Sequence, residues 1–226
     1  MIFLILNSGK GDAPFNMALD ETLLASMPRL ARPVLRFYGW TEPAATFGYF
    51  QKFADVERTT HLRLLVRRPT GGGIVPHDAD WTYSLVFPSG HEWYQLKAEQ
   101  SYRRVHEWIQ AAFRNLGVVT KLAPAARKTQ PGQCFEGHEK SDLLWHARKI
   151  AGAAQRRNKL GLLIQGSVQP SPLFPARSVW QEAMIEAAKA LYRADWDEFP
   201  ADHPLLAAAA ELARRKYSLD EYNRKR

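Results

Sequence analysis

Three stretches of the chain carry residue types and spacings that could do chemistry. The first is Arg67-Arg68-Pro69-Thr70-Gly71-Gly72-Gly73, followed by His77-Asp78. Residues without a Cβ let a ligand lie directly on the backbone and leave amide N–H groups free to donate. Arg67 or Arg68 could neutralise a phosphate or carboxylate there. The second is Lys149-Ile150-Ala151-Gly152-Ala153-Ala154-Gln155. A two-residue period would put Lys149, Ala151, Ala153 and Gln155 on one strand face, with room for a ligand chain between the lysine and the glutamine. The third is Cys134-Phe135-Glu136, which ends an irregular stretch containing Pro124, Pro131 and Gly132. Each has a plainer reading: a flexible hairpin end, a strand packed tightly under a helix, and a buried structural thiol.

The elements around these stretches decide between some uses. Leu64-Leu65-Val66 reads as a short buried strand, and Trp81–Val86 alternates as another. The three glycines therefore join strand to strand. A dinucleotide fingerprint needs a helix behind its glycines, and a P-loop needs a trailing Lys-Ser/Thr; neither is present. Upstream, Met1–Leu6 reads as a first strand, and Asp12 can cap a helix that begins near Ala13-Pro14. Phe15, Ala18, Leu19, Thr22 and Leu23 share one face of it. Val34–Tyr38 and Ala44–Tyr49 read as strands about a turn. Tyr102, Val105, Ile109, Ala112, Phe113 and Leu116 have helical spacing, stopped by Gly117. Val118–Leu122, Lys149–Gln155 and Leu160–Val168 read as strands. Two C-terminal helices are expected over about 178–217, with a frayed, solvated basic tail from Asn223.

A chain of 226 residues with 46% hydrophobic content can bury one sizeable core, and no repeat or strong boundary divides it, so one domain over 1–226 is expected. No stretch is apolar enough to span a bilayer, and the N-terminus lacks the basic region and cleavage site of a signal peptide. The lone cysteine makes a disulfide framework impossible and points to a reducing cytoplasm. The formal charge of +8 suits an acidic partner, but its basic residues are spread along the chain and form no nucleic-acid-binding motif. Cys134, His138 and His146 are too loosely spaced for a convincing zinc site, so no metal is expected.

Taken together and in order, Phe15–Glu21, Arg36-Phe37-Tyr38, Gly48–Gln51, Arg67–Gly73, His77-Asp78 and Arg148–Gln155 resemble the biotin/lipoate protein ligase superfamily over about residues 1–170. Cys134-Phe135-Glu136 ahead of Arg148-Lys149 resembles its cysteine-dependent octanoyltransferase branch. The resemblance implies an α/β (α+β) fold: a mixed main sheet, a smaller second sheet and flanking helices. It implies an acyl tunnel walled by the glycine loop and the lysine strand. Cys134 and Lys149 would be catalytic; Arg68, Thr70, Gly71, Gly72, Gly73, His77, Gly152, Ala153 and Gln155 would bind substrate. One departure stands out: the branch often has Gln-His-Gly-Ser where this chain has Ile164-Gln165-Gly166-Ser167.

The implied chemistry is two acyl transfers with no cofactor. Cys134 takes an octanoyl group from octanoyl-acyl carrier protein, and a lysine of a lipoyl-carrier protein (glycine cleavage H protein or a lipoyl domain) then takes it as an amide. A free thiol titrates near ~8.5, so the site must favour the thiolate. Lys149 as an ammonium would do so and stabilise an oxyanion; as a neutral amine it could accept a proton. A basic surface would speed encounter with acidic carrier proteins. The alternatives are an ATP-dependent lipoate ligase, an amidotransferase between lipoyl domains, and a non-catalytic binding protein on the same fold. Ligases usually carry a further C-terminal module, and about 50 residues beyond the sheet region are few for one.

Overall fold

The computed structural model describes residues 2–127, 137–199 and 201–226. β1 (Ile2–Gly11) ends at Asp12, whose Oδ1 accepts the Phe15 amide at 2.7 Å and caps α1 (Ala13–Leu30). Ala31, at φ 51°, closes that helix, and β2 (Val34–Trp40) returns parallel to β1. β3 (Ala44–Phe47), α2 (Phe53–Thr59), β4 (Leu65–Arg67) and β5 (Val75–His77) follow. They form the smaller sheet, ordered β4-β3-β5, with β3 parallel to β4 and antiparallel to β5.

The chain then rejoins the main sheet. β6 (Trp81–Pro88) leads through α3 (Glu92–Gln95) into α4 (Ala98–Asn115). β7 (Lys121–Leu122), β8 (Leu143–Trp145), β9 (Arg148–Asn158) and β10 (Gly161–Val168) come next. After them stand α5 (Arg177–Tyr192), β11 (Asp195–Glu198), α6 (His203–Leu212), a π-helical turn over Ala213–Tyr217 and α7 (Asp220–Asn223). The eight main strands are ordered β11-β1-β2-β6-β10-β9-β8-β7; β1 is parallel to both of its neighbours and the remaining pairs are antiparallel. This is the mixed α/β architecture expected, with its second sheet and flanking helices. No described helix is long and apolar enough to cross a membrane.

The central strands are covered on both faces, so β2 and β10 are buried over their whole length and show no polar alternation. One face packs Phe37, Leu85, Ile164 and Ala151 against Val105, Trp108 and Ile109 of α4 and Trp180 of α5. The other begins with an apolar row, Val34–Val86–Leu163, under Leu19, Leu23 and Met27 of α1. Burying each such side chain stabilises the fold by roughly 1.5–3 kcal/mol. Two rows further along the same face turn polar: Arg36–Ser84–Gln165, then Tyr38–Thr82–Ser167. Burying polar groups in rows is costly unless each finds a partner, so these rows mark where the molecule departs from plain packing.

Several expectations need correction. β9 carries an irregularity: Leu144 pairs with Lys149, but Leu143 pairs with Ala151. The extra residue resets the alternation. Ile150 and Ala151 both enter the core, and Lys149 shares its face with Gly152 and Ala154 instead of with Ala151, Ala153 and Gln155. The strand expected at Val118–Leu122 shrinks to Lys121–Leu122. The tail is not frayed. Asn223 is buried, and its Oδ1 accepts the Arg67 amide at 2.8 Å. Part of the irregular stretch, residues 128–136, lies outside the described residues and Cys134 with it. Its flanks are paired: Arg127 and His138 exchange backbone hydrogen bonds of 2.7 and 3.0 Å.

Candidate active site

The two polar rows form the floor of a cavity between the main sheet, α1 and the smaller sheet. Its lining includes Met17 of α1, Tyr38, Thr82, Gln165 and Ser167 of the central strands, and Lys149, Gly152, Ala153 and Ala154 of β9. The smaller sheet and its loop add Thr46, Arg68, Gly72, Val75 and His77.

A buried ion pair supports the floor. Arg36 and Asp20 are both fully buried, with Nη1 2.7 Å from Oδ1. Such a pair persists only if its remaining donors and acceptors are satisfied. Here Arg36 also donates to Ser8 Oγ, the Asn16 carbonyl and Asn16 Oδ1 at 2.7–3.0 Å. Asp20 accepts from Ser84 Oγ at 2.7 Å, Gln165 Nε2 at 2.7 Å and Tyr38 Oη at 3.1 Å. Burial, then the neighbouring Asp20 carboxylate, holds the Tyr38 hydroxyl well above the usual phenol range. Tyr38 is therefore a fixed donor. The α1 residues Asn16, Asp20 and Met17 face inward because this network, not an apolar stripe, occupies that side of the helix.

Gln165 explains its own place. Its Oε1 accepts from Thr70 Oγ1 at 2.8 Å while its Nε2 donates to Asp20. The amide thus ties the glycine loop to the sheet floor, using one donor and one acceptor, the same pair of functions a neutral imidazole offers.

The glycine loop is built around Arg68. That guanidinium donates to the carbonyls of Gly71, Gly73 and Thr46 at distances up to 3.1 Å. Gly72 has φ 84°, a left-handed conformation that favours glycine. A Cβ on the facing Gly48 would lie 1.9 Å from the Gly72 carbonyl oxygen, so the two turns touch backbone to backbone. Thr70, Gly71 and Gly73 shape this loop, and Gly72 presents it to the cavity. Arg67 does different work. It donates to the carbonyls of Tyr49, Gln51 and Asn223 at 2.7–2.8 Å, clamping the 48–51 turn to the C-terminal tail.

His77 is held on both sides. Nδ1 lies 2.9 Å from Asp80 Oδ2 and Nε2 lies 2.8 Å from Thr46 Oγ1, while Trp40 stacks on the ring at 3.8 Å. With the carboxylate as acceptor, Nδ1 carries the proton and Nε2 accepts from Thr46. The partner is Asp80, not the adjacent Asp78, which is exposed. Asp80 Oδ2 also accepts from Thr82 Oγ1 and Ser167 Oγ.

Lys149 reaches the cavity from β9. Its Nζ lies 2.7 Å from Asp142 Oδ2, and both side chains are almost wholly buried. Asp142 Oδ2 also accepts the Glu139 amide at 2.7 Å, and Oδ1 accepts from Tyr102 Oη. Gly152 gives the lysine its path: a Cβ there would lie 2.7 Å from Lys149 Cε. Gln155 stands apart from this group. It donates to the Ala98 carbonyl at 2.9 Å and accepts from Ser101 Oγ at 3.1 Å, tying β9 to the start of α4.

Of the residues expected from sequence, Lys149, Gly152, Ala153, Arg68, Gly72 and His77 thus meet at one cavity, Thr70, Gly71 and Gly73 support it, and Cys134 lies outside the described residues. Sequence reading missed Asp142, Asp80 and the Tyr38–Thr82–Ser167 row as site residues. An aspartate heading the short apolar run Leu143–Trp145 was the one available signal for the first. Among the described residues, no three His, Cys, Asp or Glu side chains converge in a way that could hold a metal ion.

An ammonium on a carboxylate beside small residues, fixed donors and a backbone-lined loop is suited to binding an acyl group and stabilising negative charge on its carbonyl oxygen. The family model of the lipoyl protein ligase A/B catalytic domain matches residues 12–171. The chain is 35% identical over 179 residues to a protein named Octanoyltransferase LipM from Halalkalibacterium halodurans, with 72% of this chain and 64% of that protein covered. It is 36% identical over 176 residues to the protein of the same name from Bacillus subtilis, covering 72% and 63%. The chain therefore spans a little under two thirds of the length of these relatives. Among solved structures, a lipoate-protein ligase A bound with ATP superposes with a TM-score of 0.81 at 23% identity, covering 99% of both chains. A bipartite lipoate protein ligase from Thermoplasma acidophilum superposes with a TM-score of 0.77 at 22% identity, covering 99% and 96%. These two likenesses show a common fold.

Proposed function

Because the chain belongs to the lipoyl protein ligase A/B catalytic-domain family, we propose that it is an acyltransferase that moves an octanoyl (or lipoyl) group through a Cys134 thioester to a lysine of a lipoyl-carrier protein, in lipoate biosynthesis. Residues 1–226 form the catalytic unit in this reading. The observation that carries it is the Lys149 ammonium, held 2.7 Å from Asp142 in a cavity lined by Gly152, Ala153 and the glycine loop. The relatives named octanoyltransferase support the choice of reaction.

The steps balance without an added reagent. The Cys134 thiolate attacks the carbonyl carbon of octanoyl-acyl carrier protein. The new C–S bond forms, the bond to the carrier thiol breaks, and that thiolate takes up a proton. The lysine amine of a lipoyl domain or H protein, having lost a proton, then attacks the acyl-enzyme. The amide forms, a second proton leaves the nitrogen, and the Cys134 thiolate departs. Thioester to thioester is nearly isoenergetic and thioester to amide runs downhill, so ATP is not required. Lys149 stabilises the charge that develops on the carbonyl oxygen in both steps. Its positive charge also favours the thiolate form of the nucleophile. The Gly72 region supplies backbone against the acyl group. The net charge of +8 favours encounter with acidic carrier proteins. A reducing compartment such as the cytoplasm keeps Cys134 as a thiol.

The test is intact-protein mass spectrometry after mixing the protein with octanoyl-acyl carrier protein in the absence of ATP. A gain of one octanoyl group on the wild type, absent from Cys134→Ala, is expected. No adduct with this donor, together with ATP-dependent modification of a lipoyl domain by Cys134→Ala from the free acid, would replace transfer by ligation.

A further inference from the structure

We propose that Asp142 and Tyr102 are positioning residues for Lys149: the carboxylate supplies the counter-charge that fixes the amine in the cavity, and the phenol fixes the carboxylate. The role rests on the transferase reading, but the geometry beneath it does not. β8 runs antiparallel to β9, so Asp142, the residue before Leu143, falls beside Gly152, one step past the Leu143–Ala151 pair. A Cβ on Gly152 would lie 3.4 Å from Asp142 Oδ1 and 2.8 Å from Lys149 Nζ. Lys149 therefore bends back across the glycine to meet the carboxylate. The irregular pairing at Ile150 is what brings lysine, glycine and aspartate onto one side of the strand.

A buried carboxylate is costly unless paired and hydrogen-bonded. Asp142 is fully buried and meets that requirement with one cation, Lys149, and two donors, the Glu139 amide and the Tyr102 hydroxyl. Tyr102 belongs to α4 and is only half-buried, so the lysine is linked through the aspartate to a second element of the fold. Among the described residues, other titratable groups around the pair are Tyr83 on β6 and His106 on α4, which feel the Asp142 charge, and Tyr38, Arg68 and His77 across the cavity. None of the hydrogen bonds given above connects these five to Asp142, and the carboxylate is the group in direct contact with the lysine amine.

The test reads Lys149 directly. Lysines are reductively methylated with 13C-formaldehyde, and the Lys149 signal is identified by its loss in Lys149→Arg. Its titration is then followed by NMR in the wild type, Asp142→Asn, Asp142→Glu and Tyr102→Phe, with no substrate present. Removing an opposite charge at this distance should move the midpoint down by on the order of one to three pH units in Asp142→Asn. Asp142→Glu should keep it close to the wild type. Tyr102→Phe takes one donor off the carboxylate, leaves more of its charge to the lysine and should move the midpoint up. In octanoyl transfer, Asp142→Asn should lower kcat at least tenfold with KM for the acyl donor changed less than twofold, and the alkaline limb of its pH–rate profile should move to lower pH. A folded Asp142→Asn whose Lys149 titrates as in the wild type overturns the proposal. If that variant does not fold, an unmoved titration in Tyr102→Phe does so. Expected titration shifts in a protein that transfers no acyl group would leave the positioning pair standing and remove the transferase reading alone.

Discussion

A Cβ built on Gly152 would stand 2.8 Å from Lys149 Nζ and 2.7 Å from its Cε. The atoms in the way are the far end of a flexible side chain, not backbone. Gly152→Ala should therefore still fold, because Lys149 can swing aside, but the buried Asp142 carboxylate then loses its cation and stability should fall by about 3–5 kcal/mol. The displaced amine would no longer sit on Asp142. Acyl transfer should fall about 10²-fold, the usual consequence of a misplacement on the ångström scale. Urea denaturation alongside single-turnover acyl transfer measures the two effects, and a folded protein with both losses is the prediction.

Gly166 looks like the same kind of residue, but its neighbour is a ring and not the end of a flexible chain. Across the β10–β9 ladder it pairs with Ala153, and a Cβ there would lie 2.1 Å from Tyr83 Cζ and 2.2 Å from its Oη. Tyr83 is a fully buried ring. Overpacking of this sort costs roughly 1–3 kcal/mol. Gly166→Ala should lower the unfolding free energy read from urea denaturation by that amount, and an unchanged value would show that the ring can move after all.

Both glycines were visible in the sequence, and nothing there told them apart. What was legible came from local signals: the Asp12 cap with Pro14 behind it, the strands flanking Gly71–Gly73, and the stop at Gly117, whose φ of 75° is that of a left-handed helix end. The set of motifs placed Lys149, Arg68 and His77 at one cavity. The face of β9 was not legible, because one extra residue at Ile150 inverts a two-residue period and leaves no mark in composition. Nor were the partners of Lys149 and His77. Asp142 and Asp80 reach them through sheet register and a loop fold, which are long-range facts. The docked tail was missed for a related reason. Its basic residues read as a solvated end, yet Lys225 lies 4.0 Å from the Tyr49 ring centre and Arg224 4.0 Å from that of Phe53.

Asn223 anchors that tail. Beyond accepting the Arg67 amide, its Nδ2 donates to the Tyr217 and Leu219 carbonyls at 2.9 and 3.1 Å. Asn223→Ala leaves a buried Arg67 amide without its acceptor, a loss of roughly 1–3 kcal/mol. Because Arg67 also holds the Tyr49 and Gln51 carbonyls, the 48–51 turn against Gly72 should loosen with it. Amide hydrogen exchange should then speed up in residues 48–51 as well as in the tail. Faster exchange in the tail alone would mean that Arg67 holds the turn without help.

His106 should make the protein acid-sensitive through one buried ring. Burial pushes its pKa down from 6.5 to about 4; the nearby Asp142 carboxylate and the Tyr102 carbonyl, which accepts from Nδ1 at 2.8 Å, oppose this and Lys149 adds to it. In the unfolded chain the imidazole takes a proton near its ordinary value, whereas the folded protein refuses it until the pH is far lower. The unfolded state therefore binds more protons between pH 6.5 and about 4, and stability falls as the pH falls through that window. The full difference corresponds to roughly 3 kcal/mol. His91, whose pKa burial also lowers, adds to the loss but is common to any His106 variant. His106→Gln removes the titration and keeps a polar side chain beside Tyr102. Its urea midpoint should be lower than that of the wild type at pH 7 but should change far less between pH 7 and pH 4. Parallel pH dependences in the two proteins would place the acid sensitivity elsewhere.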